Sequence, residues 1–194
     1  MQDFKKIADF LYEAGMLAKT PRSGFFFLGS GSQSVAEHTN RVCYIGYVLT
    51  QLTPEANLDT VLKMCLFHDF TESRISDLNH VHQKYTERFE HKALSDLAAT
   101  VPFGKDIEEI IVQYEARETL EARIAKDADN LEFLIALKEQ GDIGNKRALD
   151  WIPGVAKRLK TEAAQQVAQA IIETDSDNWW FPDRTRPQDN IPQS

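Results

Sequence analysis

Only two cysteines occur in the 194 residues, and Cys43 and Cys65 do not form a Cys-x-x-Cys pair. A disulfide framework and a structural zinc site are therefore not expected. Two thiols inside apolar helical stretches read as buried and reduced, which fits a cytoplasmic setting. Long apolar runs are missing as well. The longest, such as Phe25-Phe26-Phe27-Leu28, falls far short of the about 20 residues that cross a bilayer. The N-terminus opens on a charged amphipathic pattern rather than a charged head and an apolar stretch, so no secretory signal is expected. Positive charge is in deficit: 22 Lys and Arg stand against 30 Asp and Glu, a formal net charge of −8. A long polyanion would be repelled on average, whereas a small anion held in a local basic pocket would not. A small-molecule substrate is expected, with no nucleic-acid polymer and no membrane as partner. Strand-period segments of useful length and internal repeats are also absent, which leaves an all-α fold.

What is present is ordinary for a globular domain, with 42% hydrophobic and 27% charged residues, in a chain long enough to bury a core. We expect one helical domain over residues 1–175 and an aromatic-then-polar tail over 176–194. Trp179, Trp180 and Phe181 would cover the core in preference to a neighbouring subunit.

Helical periodicity places Phe4, Ile7, Leu11 and Ala14 on one stripe of a first helix, which Gly15 would stop. A Gly/Ser-rich segment from Thr20 to Ser32 follows, of the length that is functional or disordered in compact domains. Ser34-Val35-Ala36-Glu37 is a capping box, so a helix starts there and carries His38, Val42, Ile45, Leu49 and Leu52 along one face. After Pro54 a second helix runs from about Leu58 to Glu72, with Val61, Cys65, His68 and Glu72 on one side. Further helices are expected near Tyr85–Ala99, from Ile107, from Thr119 to Gln140 and from Val155 to Thr174.

Chemistry concentrates in three stretches: Glu37-His38, His68-Asp69 with Glu72, and Asp127-Ala128-Asp129. A lone histidine on an apolar face is most often a hydrogen-bonded core residue. An inward-facing aspartate, however, needs a cation or donors, and imidazole with carboxylate suits a divalent transition metal with open positions. Neighbours on a helix lie about 100° apart, so His68 and Asp69 share one ion only near a helix end, which the polar run Thr71-Glu72-Ser73 suggests. Asp127 and Asp129 lie about 200° apart, so only one of them can serve. Both share a stripe with apolar residues, and periodicity does not choose between them.

This ordered set resembles the HD-domain metal-dependent phosphohydrolases, and among them the bacterial 5′-deoxynucleotidases and their eukaryotic relatives. Ser34-Val35-Ala36-Glu37-His38 is similar to their first-histidine motif and His68-Asp69-x-x-Glu72 to their dyad with its glutamate. Ser76-Asp77-Leu78 is similar to the aspartate loop, and Lys126-Asp127-Ala128-Asp129-Asn130-Leu131 to the last-ligand segment. Pro21-Arg22-Ser23-Gly24 is similar to an arginine motif ahead of the first histidine. The likeness spans Ile7 to Gln140.

The resemblance implies one divalent metal (Mn, Co, Ni, Fe or Zn) held by His38, His68, Asp69 and Asp129. It implies Glu72 as the proton-transferring residue and Arg22 as the residue that orients the phosphate. Arg22, Phe25, Asp69, Asp77 and Asp129 would contact substrate. It also implies a homodimer, and a reaction that hydrolyses (deoxy)nucleoside 5′-monophosphates. One departure stands out: the family's tryptophan near the arginine is replaced here by Phe25-Phe26-Phe27, which leaves deoxy-over-ribo selectivity open. His80 and His82 read as exposed loop histidines rather than ligands of a second ion. Two other readings stay open: an HD-type hydrolase of triphosphates, cyclic nucleotides or guanosine polyphosphates, which would need more basic residues around the longer phosphate chain, and a non-catalytic metal- and nucleotide-binding module.

Overall fold

The computed structural model describes residues 3–87 and 89–181. In chain order the helices are α1 (Phe4–Ala14), α2 (Phe25–Leu28), α3 (Val35–Gln51), α4 (Leu58–Phe67), α5 (Glu72–Ile75), α6 (His82–Tyr85), α7 (Glu90–Ala98), α8 (Gly104–Ala116), α9 (Leu120–Asp142), α10 (Lys146–Ala156) and α11 (Glu162–Glu173). A 3₁₀ turn over Gly15–Ala18 extends α1. No sheet forms among the described residues; one isolated bridge joins Pro21 to Ser34.

The long helix α9 is the axis of the bundle and packs against α3, α4, α8, α10 and α11. Its sequence explains that position. Ala122, Ile124, Ala125, Ala128, Leu131, Leu134, Ala136 and Leu137 are all buried, covering most of its circumference, as expected of a helix surrounded by others. The alanines let neighbours approach closely. Gly46 does the same between α3 and α4: a Cβ there would stand 2.6 Å from Cys65 Sγ. A second, smaller core joins Phe10, Leu17, Val35 and Phe70 to Leu94, Leu97 and Ile107 of the α7–α8 layer.

Local signals set several boundaries. The Ser34 hydroxyl accepts from the Glu37 amide while Glu37 accepts from the Ser34 amide, so the capping box is complete. Asn57, Thr119, Asn145 and Thr161 cap α4, α9, α10 and α11 with their side-chain oxygens.

The structure corrects several expectations. The helix expected from about Leu58 to Glu72 ends at Phe67, where the chain turns at His68 and Asp69 before α5 begins at Glu72. The helix placed over 155–174 is two helices, α10 and α11, with a break where Asp127 draws in the Lys160 and Thr161 amides. In α1 the buried face runs through Phe10, while Phe4 and Leu11 are exposed, because α1 docks by its C-terminal half onto Phe70. Leu52, at the end of α3, is exposed rather than on the core face. Trp179 is 86% and Trp180 62% exposed, so the aromatic cluster stands off the core, which the α9–α11 packing already closes. The polar remainder of the tail, 182–194, lies outside the described residues.

Candidate active site

The site forms where the neck of the 20–34 loop, the end of α4 and the middle of α9 meet. Arg22 N donates to Gln33 O at 2.8 Å and Val35 N to Thr20 O at 2.9 Å. The loop is thereby pinched shut immediately before α3, which sets Arg22 beside the first turns of that helix. His38 lies on the buried face of α3 with no exposure. The helix α4 ends at Phe67 with His68 as its cap, still in the helical region, and from this helix end the His68 and Asp69 side chains reach the same point. Asp129 and Glu132 lie one turn apart on α9 and approach from the opposite side.

The distances are short. His38 Nε2 lies 3.2 Å from Asp129 Oδ1, 3.6 Å from Asp69 Oδ2 and 3.4 Å from His68 Nε2. His68 Nε2 lies 3.2 Å from Asp69 Oδ2. Donor atoms of His38, His68 and Asp69 fall within 4.8 Å of one another. Both histidines are anchored through their other nitrogen: His68 Nδ1 meets Cys65 O at 2.9 Å, and His38 Nδ1 meets Glu132 Oε2 at 2.5 Å. Each anchor takes the Nδ1–H and leaves Nε2 turned to the centre, the arrangement that metal-ligating imidazoles use. Two such nitrogens with two carboxylates make a donor set suited to a divalent transition ion.

Arg22 bridges the centre to the next loop. Its Nη1 donates to Asp69 Oδ2 at 3.1 Å and its Nε lies 3.7 Å from Asp77 Oδ2. Asp77 in turn accepts from the Ser23 amide at 3.0 Å and the Ser23 hydroxyl at 3.3 Å, which ties the two loops together. Glu72, first residue of α5, is 8% exposed. With Arg22, Phe25, His68, Asp69, Asp77 and Asp129 it lines a cleft of about 680 Å³. His38 lies behind that wall. Phe25 and Phe27 line the cleft, while Phe26 is 62% exposed. His80 lines the cleft with its ring 5.2 Å from Phe27, and His82 Nδ1 faces Asn79 Nδ2 at 3.1 Å; neither histidine belongs to the cluster.

Electrostatics favour charge at the centre. Burial pushes the Asp129 carboxyl up, but Lys126 and then His38 and His68 outweigh it, and the group is held well below the usual range. Asp69 is lowered likewise: burial opposes, and His68, Arg22 and His38 prevail. For His38, burial and Arg22 disfavour the proton, yet Asp129 and Glu132 raise its pKa to about 9. Carboxylates thus dominate the pocket, which calls for compensating positive charge.

The two competing aspartates part ways. Asp129 joins the histidines, with Lys126 Nζ at 2.7 Å and the Tyr114 hydroxyl donating at 3.3 Å. Asp127 points to the far side of α9 and accepts from the Lys160 amide at 2.9 Å, the Thr161 amide at 2.7 Å and the Thr161 hydroxyl at 2.7 Å, anchoring the start of α11. Glu132, Tyr114 and Arg117, whose guanidinium lies 3.6 Å over the Tyr114 ring at the cleft wall, join the site without having been expected there. Glu132, fully buried, also receives Arg41 Nε at 2.9 Å and Gln33 Nε2 at 2.6 Å. Its one signal in the sequence is its place one helical turn after Asp129.

The sequence matches the family model described as HD domain over residues 14–172. A 5′-deoxynucleotidase from Bos taurus is 24% identical over 181 residues, which are 89% of this chain and 86% of its own length. A 5′-deoxynucleotidase from Schizosaccharomyces pombe is 29% identical over 146 residues, 69% of this chain and 71% of its own. Among solved structures, a conserved hypothetical protein from Pyrococcus furiosus superposes with a TM-score of 0.75 at 27% identity, covering 86% of this chain and 99% of that one.

Proposed function

The chain belongs to the HD-domain family, and we propose that it is a metal-dependent phosphomonoesterase that hydrolyses (deoxy)nucleoside 5′-monophosphates to nucleoside and phosphate. The observation that carries this reading is the convergence of His38, His68, Asp69 and Asp129 at the wall of a cleft that also holds Glu72 and Arg22. Relatives named 5′-deoxynucleotidase that align over most of the chain support the substrate class.

His38, His68, Asp69 and Asp129 would hold one divalent ion, drawn from Mn, Co, Ni, Fe and Zn. When bound, such an ion supplies positive charge beside the phosphoryl group and makes water acidic enough to react near neutral pH. The chain's own residues do the rest. Arg22, braced by Asp69 and Asp77, presents a planar guanidinium that pairs two phosphate oxygens at once. Glu72 takes the proton as water attacks phosphorus and returns it to the departing 5′-oxygen as the P–O bond breaks. The transition state is stabilised mainly by positioned positive charge. Phe25 and Phe27 offer an aromatic wall to the nucleoside.

Cytoplasmic residence belongs to the same reading, supported by the two free thiols, Cys43 and Cys65. So does a homodimer. Tyr44, Tyr47 and Leu66 are 71%, 48% and 49% exposed and border an apolar groove between α1, α3 and α4, a surface that a second copy would cover.

The test is phosphate release from a nucleotide panel by protein loaded with Mn²⁺ or Co²⁺. Turnover of monophosphates, deoxy forms first, is expected. Turnover of cyclic nucleotides alone, or nucleotide binding without turnover in any metal, refutes the reading.

A further inference from the structure

Cations in this acidic chain are widely matched to carboxylates: Arg22, Arg41, Arg74, Lys126 and Lys138 each pair with one. Arg123, Arg158 and Lys160 have no such partner among the described residues, and all three line one groove of about 1090 Å³. Arg117 and Lys126 line it too, against two carboxylates, Glu55 and Glu162. The balance of the whole chain, net −8, is inverted along this groove. The groove is also not separate from the active-site cleft, because Arg117, Lys126, Asn130 and Arg158 line both. Cations gathered in excess of the carboxylates around them repel one another and favour an anion. Arginine's fork fits phosphate oxygens in particular.

We infer that this groove is a second anion subsite, taking a phosphate group that the nucleotide carries in addition to the one placed at His38, His68, Asp69 and Asp129. The inference rests on the reading of that cluster as the hydrolytic centre. The extra phosphate sits either further along a 5′ chain or on the 3′-oxygen. Both present the same chemistry to Arg123, Arg158 and Lys160, and two compounds tell them apart.

The experiment measures how strongly deoxyadenosine 5′-diphosphate and deoxyadenosine 3′,5′-bisphosphate compete with deoxyadenosine 5′-monophosphate turnover. It uses the wild type, R123S/K160S, and K5S/K19S as a control with the same loss of charge at exposed, unpaired lysines. At least one competitor is expected to bind wild type about fivefold or more tighter than the monophosphate, and to weaken about tenfold in R123S/K160S but not in the control. The compound that weakens identifies the position of the second phosphate. Equal binding of all three nucleotides to wild type, or equal weakening in both double variants, overturns the subsite. Should the monophosphate not be hydrolysed at all, the hydrolytic reading fails by itself. Calorimetric titration of pyrophosphate into the three metal-free proteins then judges the groove: weakening specific to R123S/K160S supports it, and absent or unchanged binding overturns it.

Discussion

Glu132 Oε2 lies 2.5 Å from His38 Nδ1, with both side chains fully buried. Arg41 and Gln33 hold the other carboxylate oxygen, so the imidazole can rotate only by breaking a network of four residues. Glu132→Gln keeps the shape, but its single amide oxygen cannot accept from both His38 and the Arg41–Gln33 pair. Divalent metal affinity, measured by competition with a chromophoric chelator, should fall about 10- to 100-fold. Unchanged affinity would mean that His38 is placed by packing alone.

How much of this was legible in the sequence differs by residue. The capping box fixed the start of α3 and therefore the inward aim of His38, since both depend only on neighbours three and four positions away. The polar run Thr71-Glu72-Ser73 placed the end of α4 near Glu72, about a turn later than Phe67, where the helix stops. Asp127 and Asp129 could not be separated, because α9 is buried on nearly every side and each aspartate shares a stripe with apolar residues. What decides between them is the contact of Asp127 with Lys160 and Thr161, far along the chain and invisible to periodicity. Glu132 was passed over for the same reason: its partners, His38 and Arg41, lie on another helix. The outward aromatics Trp179 and Trp180 show the converse, since composition alone says nothing of whether the core is already full.

Arg22→Lys preserves a charge but loses the fork that spans Asp69 and Asp77 and that, on the proposed reading, pairs phosphate oxygens. Loss of one positioned donor of this kind typically costs about 10²–10³ in turnover. Steady-state kinetics on a deoxynucleoside monophosphate should show that drop in kcat/KM, with metal content unchanged. A fall in bound metal instead would reassign Arg22 to holding Asp69.

Glu13 receives Arg74 through two bonds, at 2.5 and 2.8 Å, and Ser73 at 3.0 Å, bracing α5 and hence Glu72 against α1. Its carboxyl is lowered chiefly by the hydrogen bond from Arg74. A depressed carboxylate contributes stability above its unfolded pKa of about 4.3 and loses it as pH falls through the folded value. Wild type should therefore be more stable than Glu13→Gln at pH 7, the difference shrinking on acidification below about pH 4.3. Denaturant midpoints across that range check this; a gap independent of pH would contradict it.

Gly46→Ala places a methyl against Cys65 Sγ and Val61 between α3 and α4. The strain should outweigh the helix propensity gained and cost about 1–2 kcal/mol. At Gly154, in α10, nothing lies within 4 Å of an added Cβ, and Gly154→Ala should stabilise by about 0.5–1 kcal/mol. Chemical denaturation of the pair reads the contrast in sign. Equal shifts would show that the α3–α4 contact is looser than the structure has it.

On the proposed reading, four side chains from three helical regions hold one ion. Anomalous diffraction from crystals grown with Mn²⁺ measures this directly. One strong peak per chain is expected, about 2.0–2.3 Å from His38 Nε2, His68 Nε2 and oxygens of Asp69 and Asp129. A peak at His80 or His82 instead, or no peak between the histidines, would contradict it.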